Sequence, residues 1–447
     1  MLKKPFKNVL VVDMTHGGKI IATEFSKLPG YNVFGWDIYN TLTDEDKNNL
    51  HESGVKLVDE NYLNRSTWVV APIHCNLDYP VNMSHHEAVA FLMNNSIEIP
   101  VIEVTGVKGK TSVVHMLKEI FKDFNPLILS SLGVEVLNDG ESKLLKKDIS
   151  ITPANIIDAW RMAQEYDAGI FIVETSLGGT GLAEVGILTN IIEDYSIAKG
   201  TRKASEAKIQ IFNNKLLACD YDSFNRFYPD FKEKTNTFSI DKKGNVKASN
   251  IIFGFQETIF QVEVKDLKTI SGEILDDAFE ISTFAPAPHH VQNVISAICA
   301  SLTLGISKNH IINGLKNYNG LKGRTSIANR KEVRIIEEVN PGINLATIEK
   351  AISMLEDLPR TGIVFGGKYG VTCEEIDEQS ASSILNELTK DIQLILTDEL
   401  GNAVKDGIER NFHYIPHLDE AMDYALNFGC QNILLIYRST FPDLQHR

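Results

Sequence analysis

The residues with the clearest chemical meaning lie between Val104 and Ser112, in the run Val-Thr-Gly-Val-Lys-Gly-Lys-Thr-Ser. The run follows an apolar segment and precedes a helical pattern that begins at Val113. Glycines in such a loop let backbone N–H groups face phosphate oxygens, while a lysine covers the outer phosphates and a threonine hydroxyl reaches Mg2+. The pattern predicts a bound nucleoside triphosphate. The predicted phosphate-binding residues are Thr105, Gly106, Lys108, Gly109, Lys110, Thr111 and Ser112.

This loop differs from the common P-loop at its first position. The usual pattern has a glycine five residues before the second one, and here that place is taken by Val104, so the first glycine is Gly106. The departure indicates a narrower class of nucleotide-binding protein. A simple surface turn before a helix is the structural alternative.

Composition excludes several classes of protein. The 447 residues suggest about three domains. The formal net charge of −15 and the absence of a basic run interleaved with aromatics disfavour nucleic-acid binding. The five scattered cysteines lack CxxC spacing, so we expect free thiols in a reducing compartment. No apolar run is long enough to span a bilayer, and we expect a cytoplasmic protein that does not engage a membrane.

The order of apolar strands and amphipathic helices predicts an α/β fold in three blocks. Residues 1–98 should form a small Rossmann-like domain, residues 99–320 a P-loop ATPase domain, and residues 321–447 another Rossmann-like α/β domain. Short alternating segments between Asn236 and Phe284 predict an antiparallel β insertion in the central block. The predicted strands are Asn8–Val12, Tyr31–Trp36, Trp68–Ala71, Gly169–Val173, Val185–Asn190, Arg334–Glu338, Gly362–Phe365, Gln393–Thr397 and Asn432–Tyr437; the predicted helices include Gly17–Lys27, Ile156–Glu165 and Val291–Leu304.

Several landmarks in order resemble the Mur ligase superfamily along nearly the whole chain. They are the phosphate loop, Ser150-Ile-Thr-Pro153, Glu174-Thr-Ser-Leu-Gly-Gly179, Asn190 to Asp194, Ala207-Lys208, His289 to Asn293, Gly323-Arg324 and Phe365 to Gly367. Members of that superfamily have three domains and use ATP to convert a carboxylate into an acyl phosphate, which a nucleophile then attacks. The resemblance therefore implies an ATP-dependent ligase.

The resemblance also implies roles for individual residues. Lys110, Glu174 and Lys208 would be the catalytic residues, and Thr111, Glu174, Asp194 and Lys208 would serve the Mg2+ sites. In this superfamily the matching lysine commonly carries a carbamate, whereas an isolated helical lysine is ordinarily a surface group. Asn293, Arg324 and Glu338 match residues that contact the nucleotide. The pair His289-His290 is read as structural, not as a metal site.

One position departs from the superfamily pattern. Tyr195 follows Asp194 where most members have a histidine that helps the second metal site. The second Mg2+ is then either absent or bound by Asp194, Glu193 or the substrate. Metal count and oligomeric state stay open at this point.

The residues expected to choose the substrate differ from those of cell-wall ligases. The first turn reads Thr15-His16-Gly17-Gly18, and after Glu338 the chain reads Val-Asn-Pro-Gly, without the family's amino-acid recognition box. Val11 to Gly18 and Gly35 to Asn40 resemble the coenzyme F(430) branch of the superfamily, found in methanogenic archaea. This resemblance implies a nickel tetrapyrrole carboxylic acid as substrate, with nickel only as part of it, and ring closure by an internal carbon nucleophile. The implied substrate-binding residues are Thr15, His16, Gly17, Gly18, Thr152, Lys199 and Arg202.

Three further interpretations concern the same regions. Trp36 and Tyr39 could line an apolar cleft, although aromatics in such places are more often core residues. The chain could instead form an amide, as in archaeal pseudomurein peptide synthesis. It could also be a regulatory ATP-binding protein in which Tyr195 has removed catalysis.

Overall fold

The computed structural model confirms the α/β class and divides the chain into two compact units. It describes residues 7–62, 67–94, 96–138, 140–147, 149–254, 257–321, 325–330, 332–340, 343, 345–353, 355, 358–369 and 376–439. The first unit comprises Met1–Ile251, Phe260–Ile281 and His289–Asn317, and the second comprises Ile252–Ile259, Ser282–Pro288 and Tyr318–Arg447. Within the described ranges no helix has the length and apolar character needed to cross a membrane.

The first unit begins with a four-stranded parallel sheet. Its strands and helices in chain order are β1 (Lys7–Val12), α1 (Lys19–Ser26), β2 (Tyr31–Trp36), α2 (Asp44–Glu52), β3 (Lys56–Leu57), β4 (Thr67–Val70) and α3 (His85–Met93). The strands lie in the order β3-β2-β1-β4, and every pair is parallel. Both α2 and α3 start with a capping box. The side chain of the residue before the helix accepts a hydrogen bond from the backbone N–H of the third helical residue, whose own side chain accepts one from the N–H of the residue before the helix.

The predicted helix Gly17–Lys27 begins later than expected. A five-residue turn of π-helical type, Met14–Gly18, follows β1, and regular α-helix starts at Lys19. Asp13, which precedes the turn, has a left-handed φ of 69°. A Cβ on Gly18 would lie 2.3 Å from the Asp13 carbonyl oxygen, so this tight turn requires glycine there.

The central part of the first unit is built on an eleven-stranded sheet. In chain order its elements are β5 (Val101–Thr105), α4 (Lys110–Ile120), β6 (Pro126–Ser130), β7 (Gly133–Asn138), β8 (Glu141–Lys146), α5 (Asn155–Met162), β9 (Ile170–Glu174), β10 (Val185–Leu188), β11 (Ser196–Ile197), β12 (Arg202–Lys203), α6 (Ala204–Lys208), β13 (Leu216–Asp220), α7 (Tyr221–Phe227), β14 (Thr235–Ile240), β15 (Val246–Ile252), β16 (Thr258–Lys268), β17 (Ile274–Thr283), α8 (Pro288–Thr303) and α9 (Lys308–Lys316). The sheet order is β17-β16-β15-β14-β13-β10-β5-β9-β6-β7-β8. Strands β10, β5, β9 and β6 are parallel neighbours, so their carboxyl ends meet at one edge.

The prediction of a separate antiparallel insertion between Asn236 and Phe284 is wrong for its first strands. Strand β14 pairs in parallel with β13, and β15 pairs in parallel with β14. These strands therefore extend the central sheet. Alternating burial reveals that one face of a strand is covered, but it does not report the direction of the neighbouring strand.

The second unit contains a six-stranded sheet. Its elements are β18 (Thr325–Arg330), β19 (Val333–Asn340), α10 (Leu345–Ser353), β20 (Thr361–Gly367), α11 (Glu378–Asn386), β21 (Gln393–Thr397), α12 (Asp398–Val404), β22 (Phe412–Ile415), α13 (Leu418–Asn427) and β23 (Asn432–Arg438). The strand order is β18-β19-β23-β20-β21-β22, with only the β18–β19 pair antiparallel. The four strands predicted in this block are confirmed, because their long apolar runs are buried on both sides.

Two sets of contacts, one apolar and one polar, stabilise the first unit. One apolar cluster joins Met14 of the turn after β1 and Phe25 of α1 to Val101 and Phe171 of the central sheet. In addition, the fully buried carboxylate of Glu103 on β5 accepts hydrogen bonds from Thr180 N at 3.0 Å and from Asn214 Nδ2 at 2.8 Å. Glu103 thus anchors the loop after β9 to the middle of the sheet.

We predict that Glu103→Gln lowers the free energy of unfolding by about 2 kcal/mol. The new amide NH2 would face N–H groups whose hydrogen bonds the carboxylate now accepts. Urea unfolding followed by far-ultraviolet circular dichroism measures the effect. The exposed Glu98 supplies a matched control, since Glu98→Gln removes a carboxylate without buried partners. Equal unfolding midpoints for the two variants would contradict the anchoring role.

Candidate functional site

The phosphate loop connects β5 to α4 and uses two glycines in conformations that other residues rarely adopt. Gly106 has φ of 144° and Gly109 has φ of 87°. Lys110 is the first residue of α4, and its Nζ donates to the Gly106 carbonyl at 3.2 Å. The helix N-terminus and the loop N–H groups therefore surround the space in which phosphates bind in proteins of this type.

The end of β10 braces this loop from the side. Backbone N–H groups of Val107 and Lys108 donate to the carbonyl and side-chain oxygens of Asn190 at 3.0 and 3.2 Å. The Thr189 hydroxyl donates to the Lys108 carbonyl at 2.6 Å. Strand β10 ends at Leu188, two residues before the predicted end at Asn190, because these two residues turn to bind the loop.

Glu174 lies at the carboxyl end of β9, beside the phosphate loop. Its Oε1 accepts a hydrogen bond from the Thr111 hydroxyl at 3.1 Å, and its Oε2 accepts from Ser131 N at 3.0 Å. The hydroxyls of Thr111 and Ser131 are 3.1 Å apart. A carboxylate with two hydroxyls next to a phosphate loop is an oxygen-only donor set, which suits Mg2+.

Lys208 lies in the same region with its side chain only 1% exposed. Burial, with a smaller contribution from the positive charge of Lys110, lowers the pKa of Lys208 to about 7. No carboxylate oxygen of the described residues lies within 4.0 Å of its ammonium group. A buried cation near a second cation is electrostatically unfavourable, so this position suits a neutral amine or an anionic derivative.

Asp194 holds the short helix that carries Lys208. Its two carboxylate oxygens accept hydrogen bonds from the backbone N–H and the hydroxyl of Ser205 at 2.8 and 2.9 Å. Asp194 is therefore a helix-positioning residue here, and its role as a metal ligand stays a prediction. The alternative ligand Glu193 is exposed, and Tyr195 is 37% exposed.

The residues expected to contact the nucleoside lie in different units. Asn293 on α8 belongs to the first unit, and its side chain lies directly against Gly109. Glu338 belongs to the second unit, where it is buried and accepts a hydrogen bond from the Thr325 hydroxyl at 2.5 Å. Arg324 lies outside the described residues.

Part of the expected substrate-binding set is brought together within the first unit. A Cβ built on Gly17 would lie 3.4 Å from the Thr152 hydroxyl, so the N-terminal turn and the loop before α5 are in contact. Arg202 donates to the Ile73 carbonyl at 3.2 Å, which joins the basic loop to the loop after β4. Thr15 and His16 lie on the exposed side of the turn. The side chain of Lys199 is outside the described part of the chain.

Three residues of this region were not predicted from sequence. Ser131 completes the hydroxyl pair around Glu174, as described above. His86 on α3 bonds the Ser176 carbonyl through Nε2 at 2.9 Å, and Gln210 bonds the Leu177 carbonyl at 3.1 Å. Burial lowers the pKa of His86 to about 4, so the ring is neutral and acts as a hydrogen-bond partner. None of the three had a sequence signal, because the strand order that brings these residues to the site cannot be read from the chain.

The contact between Asn293 and Gly109 generates a prediction about the phosphate loop. A Cβ on Gly109 would lie 2.2 Å from the Asn293 side-chain oxygen, so we expect Gly109→Ala to weaken ATP binding at least about 10-fold through distortion of the loop. Isothermal titration with ATP and Mg2+ measures the affinity.

Gly305 provides the matched control for that experiment. It has nearly the same φ, 91°, but an added Cβ would meet nothing within 4 Å. Gly305→Ala therefore introduces the same backbone strain without the collision. Comparable ATP affinities for the two variants would show that the collision at Gly109 has no effect on binding.

Comparison with known protein families gives two matches along the chain. Residues 104–301 match the Mur ligase middle domain, and residues 327–440 match the C-terminal domain of coenzyme F(430) synthetase CfbE. The first match starts at the end of β5 and ends in α8, so it covers the phosphate loop, Glu174, Lys208 and Asn293. The second covers nearly all of the described sheet of the second unit.

Similar full-length proteins agree with these matches. The chain is 27% identical to coenzyme F(430) synthetase of Methanosarcina acetivorans over 96% of this chain and 98% of the relative. It is also 27% identical to coenzyme F(430) synthetase of Methanocaldococcus jannaschii over 92% and 95% of the two chains. The solved structure of MurF from Acinetobacter baumannii has the same fold, with a TM-score of 0.60, 16% identity and coverage of 86% of each chain. Together with the phosphate loop and the Glu174 cluster, these matches show that the chain contains a Mur ligase middle domain followed by a C-terminal domain of the coenzyme F(430) synthetase type, and they support an ATP-dependent ligase that uses Mg2+.

Proposed function

We propose that this ligase activates a carboxylate of a nickel tetrapyrrole acid and closes a carbocyclic ring, the final step of coenzyme F(430) synthesis. The observation that carries the proposal is the similarity to two coenzyme F(430) synthetases along almost the whole of each chain. The match of the C-terminal domain to the same kind of enzyme supports it, because that domain is remote in sequence from the ATP-binding residues common to all Mur ligases.

The first chemical step would transfer the terminal phosphoryl group of ATP to a carboxylate oxygen of the substrate. A P–O bond forms to the carboxylate, the bond to the leaving ADP oxygen breaks, and the product is an acyl phosphate. Both reactants are anionic, so the site must supply positive charge before they can approach. Lys110 provides one cation, and Thr111 with Glu174 would hold Mg2+, which neutralises charge on the phosphates when bound.

The second step would form the ring. A carbon nucleophile of the same tetrapyrrole loses a proton and attacks the acyl carbon, a C–C bond forms, and orthophosphate leaves. An intramolecular attack needs no pocket for an amino acid, which agrees with the sequence after Glu338. Because both reacting groups belong to one substrate, no second molecule has to bind, and the site needs only to orient the two groups toward each other.

The remaining expected contacts are part of the same proposal. Asn293 and Arg324 would contact the nucleotide, with Glu338 near its ribose. The turn Thr15 to Gly18, with Thr152, Lys199 and Arg202, would bind the acidic substrate. The contact between Gly17 and the loop of Thr152 supports a binding surface shared by the N-terminal and central parts of the first unit. The division into three domains at residues 98 and 320 also remains a proposal.

The decisive experiment incubates the purified chain with ATP, Mg2+ and the nickel tetrapyrrole acid. We expect one ADP and one orthophosphate per turnover and a change in the visible spectrum of the tetrapyrrole, without any added amine. Lys110→Ala and Glu174→Gln should each lower turnover by about three orders of magnitude, because each removes charge compensation or a metal ligand at the transferring phosphate.

Two outcomes would overturn this proposal. Turnover that requires an added amine or amino acid would show an amide ligase instead of a ring-closing enzyme. ATP binding without ADP formation in the presence of any candidate acid would show a regulatory nucleotide-binding protein. Full activity of Glu174→Gln would refute the role of Glu174 at the metal.

We also propose that Lys208 carries a carbamate in the active enzyme. Its amine is buried near Lys110 and has no carboxylate partner among the described residues. Only a neutral amine reacts with CO2, and the lowered pKa of about 7 makes that form abundant at neutral pH. The amine nitrogen forms an N–C bond to CO2 and one proton is released to solvent, so a neutral buried amine becomes an anion that attracts Lys110 and offers oxygen ligands to a cation.

Removal of CO2 should therefore lower the activity, and bicarbonate should restore it. At constant CO2 we expect activity to rise as the pH passes upward through about 7, since protonated Lys208 predominates below that value.

Lys208→Ala should lose at least about 100-fold in turnover and recover partly with added short carboxylic acids. The exposed Lys215 offers a control in Lys215→Ala. Unchanged activity of the native enzyme in CO2-free buffer would refute the carbamate.

A further inference from the structure

Three side chains in the segments that follow β1 and β4 of the N-terminal sheet converge on one another. His16 Nδ1 lies 2.7 Å from Asp13 Oδ2, and His74 Nε2 lies 3.1 Å from the same oxygen. The three potential ligand atoms all lie within 4.8 Å of one another. Asp13 is fully buried, whereas the side chains of His16 and His74 are 46% and 25% exposed, so the cluster is open to solvent.

The topology explains why these residues meet. Asp13 directly follows β1, and His74 follows β4, its parallel neighbour, so both lie at the carboxyl edge of the sheet. The π-type turn after β1 brings His16 back over Asp13. Carboxyl ends of parallel strands are the usual place for ligands in such sheets.

The geometry around Asp13 leaves one carboxylate oxygen for the two rings. Oδ1 accepts the backbone N–H groups of Thr15 and His16, both at 3.1 Å. These bonds and the left-handed backbone of Asp13 fix the carboxylate, with Oδ2 directed at His16 and His74. Strained backbone at a position with a converging set of side chains is a feature of ligand-binding sites.

The types of donor atom indicate which metal ion the cluster would bind. Two imidazole nitrogens and one carboxylate oxygen suit a borderline divalent transition metal such as Zn2+, Ni2+ or Co2+, whereas Mg2+ prefers oxygen ligands only. Tetrahedral Zn2+ with bonds of about 2.0–2.1 Å has ligand atoms about 3.3 Å apart. The separations from Asp13 Oδ2 to the two ring nitrogens, 2.7 and 3.1 Å, would therefore need to widen by about 0.6 and 0.2 Å, and the two nitrogens lie within 4.8 Å of each other.

We propose that Asp13, His16 and His74 form a binding site for one divalent transition-metal ion, separate from the Mg2+ site at Glu174. In the metal-free form each ring donates a hydrogen bond to Asp13 Oδ2, from His16 Nδ1 and from His74 Nε2. On binding, each neutral ring moves its proton to its other nitrogen, and the metal takes the position between the three ligand atoms. Three protein ligands leave at least one coordination position for water or an anionic ligand. This site does not depend on the proposed tetrapyrrole substrate.

The test uses the untagged full-length protein after treatment with a chelator. Isothermal titration with Zn2+, Ni2+ and Co2+ in the presence of millimolar Mg2+ should show one ion per chain. We expect His16→Gln and His74→Gln to weaken binding at least about 30-fold each, since each removes one of three ligands. Bound Co2+ should also give visible absorption bands that the variants lack.

His51→Gln is the matched control, because His51 is an exposed histidine on α2, the helix between β2 and β3 of the same sheet. Circular dichroism of each apo variant verifies that the fold is retained, and His16→Gln, at the more exposed of the two side chains, is the milder substitution. The proposal is overturned if the native protein binds no ion under these conditions. It is also overturned if the folded His74→Gln variant binds ions as tightly as the His51→Gln control.

Discussion

The active region depends on one buried carboxylate, that of Glu174, held between two neighbouring strand ends. One oxygen contacts the Thr111 hydroxyl at the start of α4, and the other accepts the N–H of Ser131 after β6. A buried charge of this kind is tolerated only when its oxygens are fully hydrogen-bonded or bind a cation. The hydrogen bonds therefore keep the Glu174 carboxylate ionised beside the phosphate loop, where it would bind the cation that the reaction needs.

The other buried ionic groups of this region follow the same principle. Glu103 is satisfied by N–H groups and an amide, and Asp13 by backbone N–H groups and two imidazoles. Lys208 is the contrasting case, because burial and the nearby Lys110 both disfavour its charge. Where a protein retains a buried amine without an anionic partner, a chemical role is a better explanation than stability.

The first unit connects its N-terminal sheet to the ATP-binding loops by both apolar and polar contacts. A common apolar cluster includes Phe25 and Phe171, and His86 bonds the Ser176 carbonyl just after Glu174. A neutral buried histidine holds a fixed hydrogen bond without a change of charge at physiological pH. These contacts join the N-terminal sheet and its helices to the loop that follows Glu174.

The sequence by itself determined the elements with strong local signals. Glycines and a lysine between a buried strand and a helix predict the phosphate loop, and continuous apolar runs predict β2 and β21 with their observed bounds. Only the tertiary structure decided which distant residues meet. The parallel pairing of β13, β14 and β15, the Ser131–Glu174 bond and the convergence of His16 and His74 on Asp13 depend on strand order. Burial patterns along a chain report which faces are covered, but they carry no information about the identity of the covering neighbour.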